Sequence, residues 1–477
     1  MKKRKSVCIL LIFSILLLLL PCTVQAESAN AENLDLPANV EYGCSGIDAK
    51  VPIMGSQQLI SNMESAVLFD VSSNVLLYGL NADKPMYPAS LVKIMTTITA
   101  LELADVSEAV TVRQSVINTV PTNAVVAYLL PNEVLPLGEL IYCMMVGSAN
   151  DAAAVIADHV SGSQEAFVAE MNRIAREIGC IGTNFTNAHG LHDPAQVTTA
   201  RDVAKIVYYG MQNPLFVEFF STIYHNVPAT NLSEPRYLAS NNFLMNTVDD
   251  MRLYNDNRVT GGRTGVTEDD RRCIAATAEV KGRQMISVVM GSASKYTDEM
   301  YTITFGGFTE TTELLNYGFN QYKVVQILYD GQILRQCSVV NGENDIVLGA
   351  ADSAYAVLPV TVSPSDLSYR YFDNDSGFSA PVEKGEKLSH VQIWYGNVCL
   401  TQTDLYAMGA VRTASPTDSH ANPQSGNSLW QRILMIVCVI AACIVLAFIV
   451  LRIVAKLRLA AVRSRRKRYR KSRRRSR

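Results

Sequence analysis

The sequence predicts an α+β domain, then a small all-β domain, and then a C-terminal transmembrane helix. Three observations support this order. Short apolar runs typical of strands stand at both ends of a mostly helical region, residues 61–322. From residue 323 to residue 411, alternating apolar runs are separated by Asp-Gly and Asn-Gly turns. Residues 433–451 carry no charge and are long enough to cross a bilayer.

The α+β region is predicted to contain one sheet built from both of its ends. SAVLFDVSSNVLLYG, from residue 65, has two apolar runs about a Ser-Ser-Asn turn and predicts a hairpin. RRCIAATAEVKGRQMISVVMGS, from residue 271, predicts two strands joined at Lys281-Gly282. The intervening pattern predicts helices, among them GELIYCMMVGS, NDAAAVIADHV and EAFVAEMNRIAREIG, and TTELLNYGFNQY predicts a closing helix. Such an order favours a sheet that joins the N- and C-terminal parts of the domain.

The two ends of the chain predict export and anchoring. Residues 1–26 have a basic head, an apolar run and small residues at cleavage spacing, as in a signal peptide, although an uncleaved anchor is the alternative. A leader, 27–60, follows. Near the other end come a polar linker, 412–428, a transmembrane helix, 429–453, and a basic tail, 454–477.

The charge distribution fixes the predicted orientation. Positive residues stay in the cytoplasm, so the segment between the signal peptide and the transmembrane helix is expected outside. That segment, 27–428, has a net charge of −21, which argues against nucleic-acid binding. The basic tail fits anionic lipid headgroups, and nucleic acid is the competing partner for the tail alone.

Neither a metal nor a cofactor is predicted. His189 and His192 are three residues apart, which invites a metal site, but no HExxH motif accompanies them. Six cysteines outside the terminal segments show no CxxC spacing; a Cys337–Cys399 disulfide is conceivable because both fall in the predicted β domain.

A Ser-x-x-Lys pair in YPASLVKIMTTITALEL, residues 87–103, is the first candidate for catalysis. The pattern also occurs at Ser292/Lys295 and Ser464/Lys467, but only Ser90/Lys93 opens an apolar helix. Residues three apart share a helix face, and a lysine in a dry pocket loses its proton and can activate a serine hydroxyl. The alternative is a surface lysine beside a capping serine.

Two further segments complete the candidate site. Ser148 and Asn150, in VGSANDAAAVIADH, can pass protons and orient a substrate, or they can simply cap a helix. Arg263, Thr264 and Gly265, in VTGGRTGVTEDD, follow two glycines and precede the second strand pair. An arginine and a hydroxyl can hold a carboxylate there, although the segment alone would be interpreted as a turn.

The order Ser-x-x-Lys, Ser-x-Asn and basic-Thr-Gly resembles that of penicillin-recognising serine enzymes. In detail the chain is similar to low-molecular-weight penicillin-binding proteins of the serine D-alanyl-D-alanine carboxypeptidase type, from about Ser65 through Tyr322. The matching segments are YPASLVKIMT, SANDAA and NAHGLHDPAQVTTARDVAKI. The resemblance implies a β-lactamase/transpeptidase-like fold, an antiparallel sheet with a helical subdomain.

The resemblance also implies roles for individual residues. Ser90 would be the acylated nucleophile and Lys93 its base, while Ser148 and Asn150 would serve proton transfer and substrate binding. The carboxylate-binding strand would consist of Arg263, Thr264 and Gly265, and the oxyanion hole would use the N–H groups of Ser90 and Val266. The family usually has lysine at position 263, and many members end in an amphipathic surface helix, so this chain departs from the pattern twice.

The resemblance implies removal of the terminal D-alanine from peptidoglycan stem pentapeptides, with β-lactams acylating the same serine. A serine β-lactamase is one alternative, but ELLN at 313–316, which resembles part of its glutamate loop, comes after Arg263, in the wrong place. The other alternative is a non-catalytic wall-binding protein on the same fold. The expected partners are the stem peptide, β-lactams and the membrane.

Overall fold

A computed structural model of the chain describes residues 46–49, 62–246, 249–297, 302–373 and 377–414. The predicted signal peptide, transmembrane helix and basic tail lie outside the described residues, as do most of the leader and the linker. Within the described ranges, no helix is long and apolar enough to cross a membrane. The chain divides into a large compact unit and a small one, which among described residues comprises 339–344, 379–381 and 411–414.

A five-stranded antiparallel sheet forms the centre of the large unit, with strand order β2-β1-β9-β8-β7. Both predicted hairpins are confirmed: β1 pairs with β2, and β8 pairs with β9 through a turn at Lys281 and Gly282, which both have positive φ. Because β1 pairs with β9, the sheet joins the two ends of the domain as predicted. Its strands are β1 (Ser65–Asp70), β2 (Val75–Leu80), β7 (Val259–Val266), β8 (Arg271–Val280) and β9 (Arg283–Ala293).

Helices cover both faces of this sheet, which is why its strands are buried on both sides. Val67 and Phe69 of β1 pack into the core shared with the helical subdomain, while Leu68 lies on the opposite face, in a second apolar cluster that includes Leu314. The helices are α1 (Val92–Leu103), α2 (Gln114–Ile117), α3 (Leu137–Met145), α4 (Asn150–Ser161), α5 (Gln164–Glu177), α6 (Ala200–Gly210), α7 (Pro214–Ser221) and α8 (Phe308–Gln321). The predicted closing helix is therefore α8.

Helix α1 is the central helix of the subdomain. Every residue from 92 to 100 is buried, as expected for a helix apolar on all sides, and it packs against α3, α4, α5 and α6. A 3₁₀ turn, Ala89–Leu91, leads into it. This burial places Lys93, the second residue of α1, in the interior of the subdomain.

Short two-stranded antiparallel sheets also occur in this part of the chain. They are β3 (Ala109–Thr111) with β4 (Val134–Pro136), β5 (Tyr224–Val227) with β6 (Arg236–Ala239), and β10 (Lys295–Thr297) with β11 (Thr302–Thr304).

The predicted β-rich region follows α8. Its main sheet has the order β13-β15-β20-β19-β17, and β12 pairs with β16. Leu328, Leu358 and Ile393 share one apolar cluster with Leu68 and Leu314, so the β-rich region packs on the α8 face of the first sheet. Cys337 and Cys399 are both thiols, so the conceivable disulfide is not formed here. The strands are β12 (Tyr322–Leu328), β13 (Ile333–Cys337), β14 (Val339–Val340), β15 (Ile346–Ala350), β16 (Ala354–Pro359), β17 (Ser368–Asp373), β18 (Phe378–Ser379), β19 (Lys387–Tyr395) and β20 (Val398–Ala407).

Candidate active site

Ser90 and Lys93 meet where the 3₁₀ turn passes into α1. The Lys93 side chain is fully buried, and its Nζ lies 3.2 Å from Ser90 Oγ. Ala89, just before the serine, has φ of 46°, a strained conformation for a residue with a Cβ atom. Such strain is commonly found where a fold holds a reactive group in place. The surface-lysine alternative is therefore excluded, because this lysine has no access to solvent.

The surroundings of Lys93 favour its neutral form. Nζ donates to Asn150 Oδ1 at 2.8 Å and to the carbonyl of His189. Burial lowers the pKa of Lys93 well below its usual 10.5, the Arg263 charge lowers it further, and the Asp151 charge partly opposes both. A neutral amine has two N–H donors, which these two carbonyl oxygens occupy, and one lone pair. The lone pair is then left for the Ser90 hydroxyl.

Ser148 and Asn150 stand at the start of α4, on the other side of Lys93. Asn150 donates from Nδ2 to the Val125 carbonyl at 2.9 Å, which fixes its amide so that Oδ1 faces Lys93. Ser148 has φ of 62°, a second strained residue at the site. The helix-capping alternative does not hold for either residue, because α4 has no side-chain cap.

Arg263 lies deeper than its predicted role requires. Its side chain is 1% exposed, and its donors reach Met145 O at 3.0 Å and Ser148 Oγ at 2.5 Å, with Ser90 O at 3.4 Å. Burial lowers its pKa to about 10. The expectation that this guanidinium grips a substrate carboxylate does not match a group already turned toward protein oxygens. A role in positioning Ser148 matches it better, and the carboxylate contact stays a prediction.

The remaining predicted residues lie along edge strand β7. Thr264 donates from Oγ1 to Asn241 Oδ1 at 2.7 Å. A Cβ atom on Gly265 would lie 2.7 Å from the backbone nitrogen of Ser90, so only glycine allows β7 to approach the serine this closely. Val266, next along the strand, is about half exposed. All eight predicted residues therefore lie on the three segments that meet around Ser90.

The loop that carries His189 is the part of the site that the motifs did not predict. Gly190 has φ of 82°, and a Cβ atom there would collide with the Ala89 carbonyl. Thr96 Oγ1 of α1 donates to the Ala188 carbonyl at 2.6 Å, which ties the loop to the helix that carries Lys93. Burial and Lys93 lower the pKa of the His189 imidazole to about 4. Across the described ranges, no cluster of three potential metal ligands occurs.

Comparison with known proteins identifies the family. A family described as D-alanyl-D-alanine carboxypeptidase matches residues 54–294, half of the chain, and a domain described as the C-terminal domain of penicillin-binding protein 5 matches residues 322–413. The chain belongs to the D-alanyl-D-alanine carboxypeptidase family. This serine carboxypeptidase removes the terminal D-alanine from peptidoglycan stem peptides, as the sequence predicts, and neither the β-lactamase nor the non-catalytic alternative is supported.

Individual relatives are distant in sequence but similar along most of their length. The D-alanyl-D-alanine carboxypeptidase DacA of Haemophilus influenzae is 28% identical over 363 residues, 74% of this chain and 86% of the relative. DacF of Bacillus subtilis is 25% identical over 70% of this chain and 82% of the relative. The crystal structure of penicillin-binding protein 5 from Haemophilus influenzae matches with a TM-score of 0.56 at 27% identity, covering 75% of this chain and 100% of that one. The carboxypeptidase thus has a transpeptidase-like α+β domain followed by a β-rich domain.

A cleft of about 250 Å³ opens beside Ser90 in the carboxypeptidase. It is bounded by Ala89, by Val266 at the end of β7 and by His192 from the His189 loop. The cleft therefore begins at the backbone that surrounds Ser90. An extended peptide lying along β7 would enter it.

Proposed function

We propose that Ser90 is the nucleophile of this carboxypeptidase and that Lys93 is its general base. The observation that carries the proposal is the 3.2 Å contact between Nζ of the fully buried Lys93 and Ser90 Oγ, in a place where burial lowers the pKa of Lys93 well below its usual value. Lys93 takes the hydroxyl proton as Ser90 Oγ attacks the carbonyl carbon of the penultimate D-alanine. The C–N bond breaks, D-alanine leaves with a proton, and water then hydrolyses the acyl ester and returns the proton to Ser90.

Ser148 and Asn150 assist this proton transfer. Asn150 holds Lys93 in place through Oδ1. Ser148 Oγ accepts from Arg263, so its own hydroxyl proton points elsewhere and is available to the departing amine. In this scheme Arg263 acts through Ser148 and through its charge rather than by exchanging protons, because a guanidinium stays protonated.

Strand β7 supplies the substrate-binding side. The stem peptide pairs with the edge of β7 as an added strand, with its terminal carboxylate near Thr264 and its preceding residues toward the cleft beyond Val266. The N–H groups of Ser90 and Val266 form the oxyanion hole, in which fixed dipoles stabilise the tetrahedral intermediate. A β-lactam acylates the same serine because its strained amide occupies the same place.

The charge and hydropathy of the chain support an external, anchored enzyme. A signal peptide, 1–26, directs export, and the catalytic domain, 61–322, and β domain, 323–411, then lie outside the cell. The transmembrane helix, 429–453, holds them at the membrane through the linker, and the basic tail lies on the cytoplasmic leaflet.

The proposal is tested by release of D-alanine from a synthetic stem pentapeptide. Ser90→Ala is expected to abolish release without loss of folding. The matched control is Ser292→Ala, which removes a buried hydroxyl from the second Ser-x-x-Lys pattern without breaking a hydrogen bond of its Oγ to any described residue. This control is expected to keep full activity. Activity retained by Ser90→Ala, or lost in Ser292→Ala, overturns the assignment of the nucleophile.

A further inference from the structure

A second cleft, of about 360 Å³, adjoins the cleft beside Ser90. Tyr87 and Thr267 line both clefts, so the two meet along these residues. We call the second one the charged cleft, because four of its lining side chains are ionisable. They are Glu64, Lys84, Asp269 and Arg271. The proposed reaction at Ser90 uses none of these four side chains.

The order of residues at the end of β7 shows on which side of Ser90 the charged cleft lies. Gly265 lies against the Ser90 backbone, and Val266 bounds the cleft beside Ser90. Thr267 comes next and is the first of this run that also lines the charged cleft. The terminal carboxylate of the stem peptide is placed near Thr264, in the other direction. The charged cleft is therefore on the side of the peptide residues that precede the D-alanines.

The four charges form a row of alternating sign. Lys84 Nζ lies 2.6 Å from Glu64 Oε2, and Arg271 Nη1 lies 2.9 Å from Glu64 Oε1. Arg271 Nε lies 3.2 Å from Asp269 Oδ2. A ligand with one charge meets a like charge wherever it binds along such a row, whereas a ligand with neighbouring charges of both signs matches it.

Arg271 has donors left for a ligand carboxylate. Its Nη1 contacts Glu64 and the Gly291 carbonyl, the latter at 3.2 Å, and its Nε contacts Asp269. Nη2 makes no hydrogen bond to any residue that the structure describes. The Arg271 backbone is fixed, because its N–H donates to Thr267 Oγ1 at 3.1 Å and its carbonyl accepts from Thr267 N at 2.9 Å. The guanidinium is thus anchored next to the strand end, with Nη2 able to bind a carboxylate.

The stem peptide carries a diamino acid directly before its two D-alanines. The side chain of this residue ends in an amine alone when it is lysine. When it is diaminopimelate, the side chain ends in an amine and a carboxylate on one carbon, four bonds from the backbone carbon. Four bonds span about 5 Å, more than the rise of one strand residue, so a side chain of this length extends past Thr267. Only diaminopimelate offers charges of both signs there.

We propose that the charged cleft binds the amino acid head group at the end of a diaminopimelate side chain. Arg271 and Lys84 bind its carboxylate, and Asp269 and Glu64 bind its ammonium group. The inference rests on the proposed placement of the stem peptide along β7. The charged cleft then makes the carboxypeptidase selective for one chemical class of stem peptide without contacting the bond that is cleaved.

The test measures kcat/KM for D-alanine release from three soluble pentapeptides that differ only in the diamino acid. They carry diaminopimelate, diaminopimelate with its side-chain carboxylate amidated, or lysine. Solvent weakens a charged contact in an open cleft, so the native enzyme should prefer the first peptide by roughly fivefold, mostly through KM. In Arg271→Gln, the three values should fall within about twofold of one another, because the loss is confined to the first peptide.

The matched control is Arg335→Gln in the β domain. Arg335 is ion-paired to Asp373 at 2.7 Å, and its side chain is 36% exposed, against 37% for Arg271. This variant should keep the native preference, because it also removes a half-exposed, ion-paired arginine but lies outside the charged cleft.

Equal values for the native enzyme on the three peptides, or a preference for lysine, overturn the proposal. A preference for diaminopimelate that survives in Arg271→Gln also overturns it, as does a loss of equal size on all three peptides, which shows that Arg271 only supports the fold. Failure of the Ser90 assignment would appear separately, as release of D-alanine from these peptides by Ser90→Ala.

Discussion

Removal of the Arg263 charge should change both the rate of acylation and its pH dependence. Arg263 donates to Ser148 Oγ at 2.5 Å, and its charge is the second-largest cause of the lowered Lys93 pKa. The informative pair of variants is Arg263→Gln, which removes the charge, and Arg263→Lys, which keeps it. Because the buried guanidinium donates to the neutral oxygens of Met145 and Ser148 and forms no ion pair among the described residues, its neutral replacement should not unfold the protein.

The expected loss of acylation rate follows from the hydrogen bond that Arg263→Gln removes. A hydrogen bond to a charged group is worth about 1.5–3 kcal/mol, so Arg263→Gln should acylate about ten- to a hundredfold more slowly at the pH optimum. Lys93 must be neutral to act as a base, and without the neighbouring charge its pKa rises. The acid limb of the rate profile therefore moves to higher pH in Arg263→Gln, whereas Arg263→Lys keeps the limb near its native position.

The assay is the second-order rate of acylation by a β-lactam between pH 5 and 10, supported by thermal melting of each variant. An acid limb that does not move in Arg263→Gln, in a variant that melts normally, refutes electrostatic coupling to Lys93. A second comparison tests whether Arg263 binds the substrate carboxylate. The acylation rates of the same enzymes are measured on peptides whose terminal carboxylate is free or amidated. A loss confined to the free carboxylate would show that Arg263 binds the substrate carboxylate, as the sequence predicts; equal losses would show that Arg263 acts through Ser148 and Lys93, the role that its hydrogen bonds favour.

Three further outcomes are expected. Asp151→Asn should move the acid limb to lower pH, because the Asp151 charge raises the Lys93 pKa; a shift upward contradicts this. Gly190→Ala should lower acylation about tenfold or more, since its Cβ meets Ala89, while Gly162→Ala, also at positive φ but with open space around it, controls for the backbone cost of about 1–2 kcal/mol. Residues 27–411 alone should be soluble and cleave a soluble pentapeptide, and a need for the predicted transmembrane helix in that assay argues against a simple anchor.

Local patterns predicted the fold well because they coincide with its packing. The hairpins and the closing helix have apolar spacings that only one burial pattern satisfies, and the turn at Lys281-Gly282 needs residues that tolerate positive φ. The three motifs of the candidate site were recognisable because each places reactive or hydrogen-bonding side chains at the start of a helix or the edge of a strand. The structure brings those motifs together across more than 100 residues of sequence.

The direction in which a buried side chain points could not be predicted from the sequence. Arg263 has the same place in the motif whether it faces a substrate or Ser148, and only the packing of β7 against Ser90 decides between them. The contribution of His189 was equally hidden, because its carbonyl rather than its imidazole contacts Lys93. Only Gly190, a residue suited to positive φ, signalled a close approach of backbone to backbone there.

Mass spectrometry after reaction with penicillin tests the central claim most directly. The claim is that Ser90 becomes acylated because a neutral Lys93 takes its proton. The native protein should gain the mass of one penicillin, and peptide mapping should place it on Ser90. Ser90→Ala should gain nothing, while Ser292→Ala should be labelled like the native protein. An adduct on any residue other than Ser90, or no adduct on the folded native protein, would contradict the account.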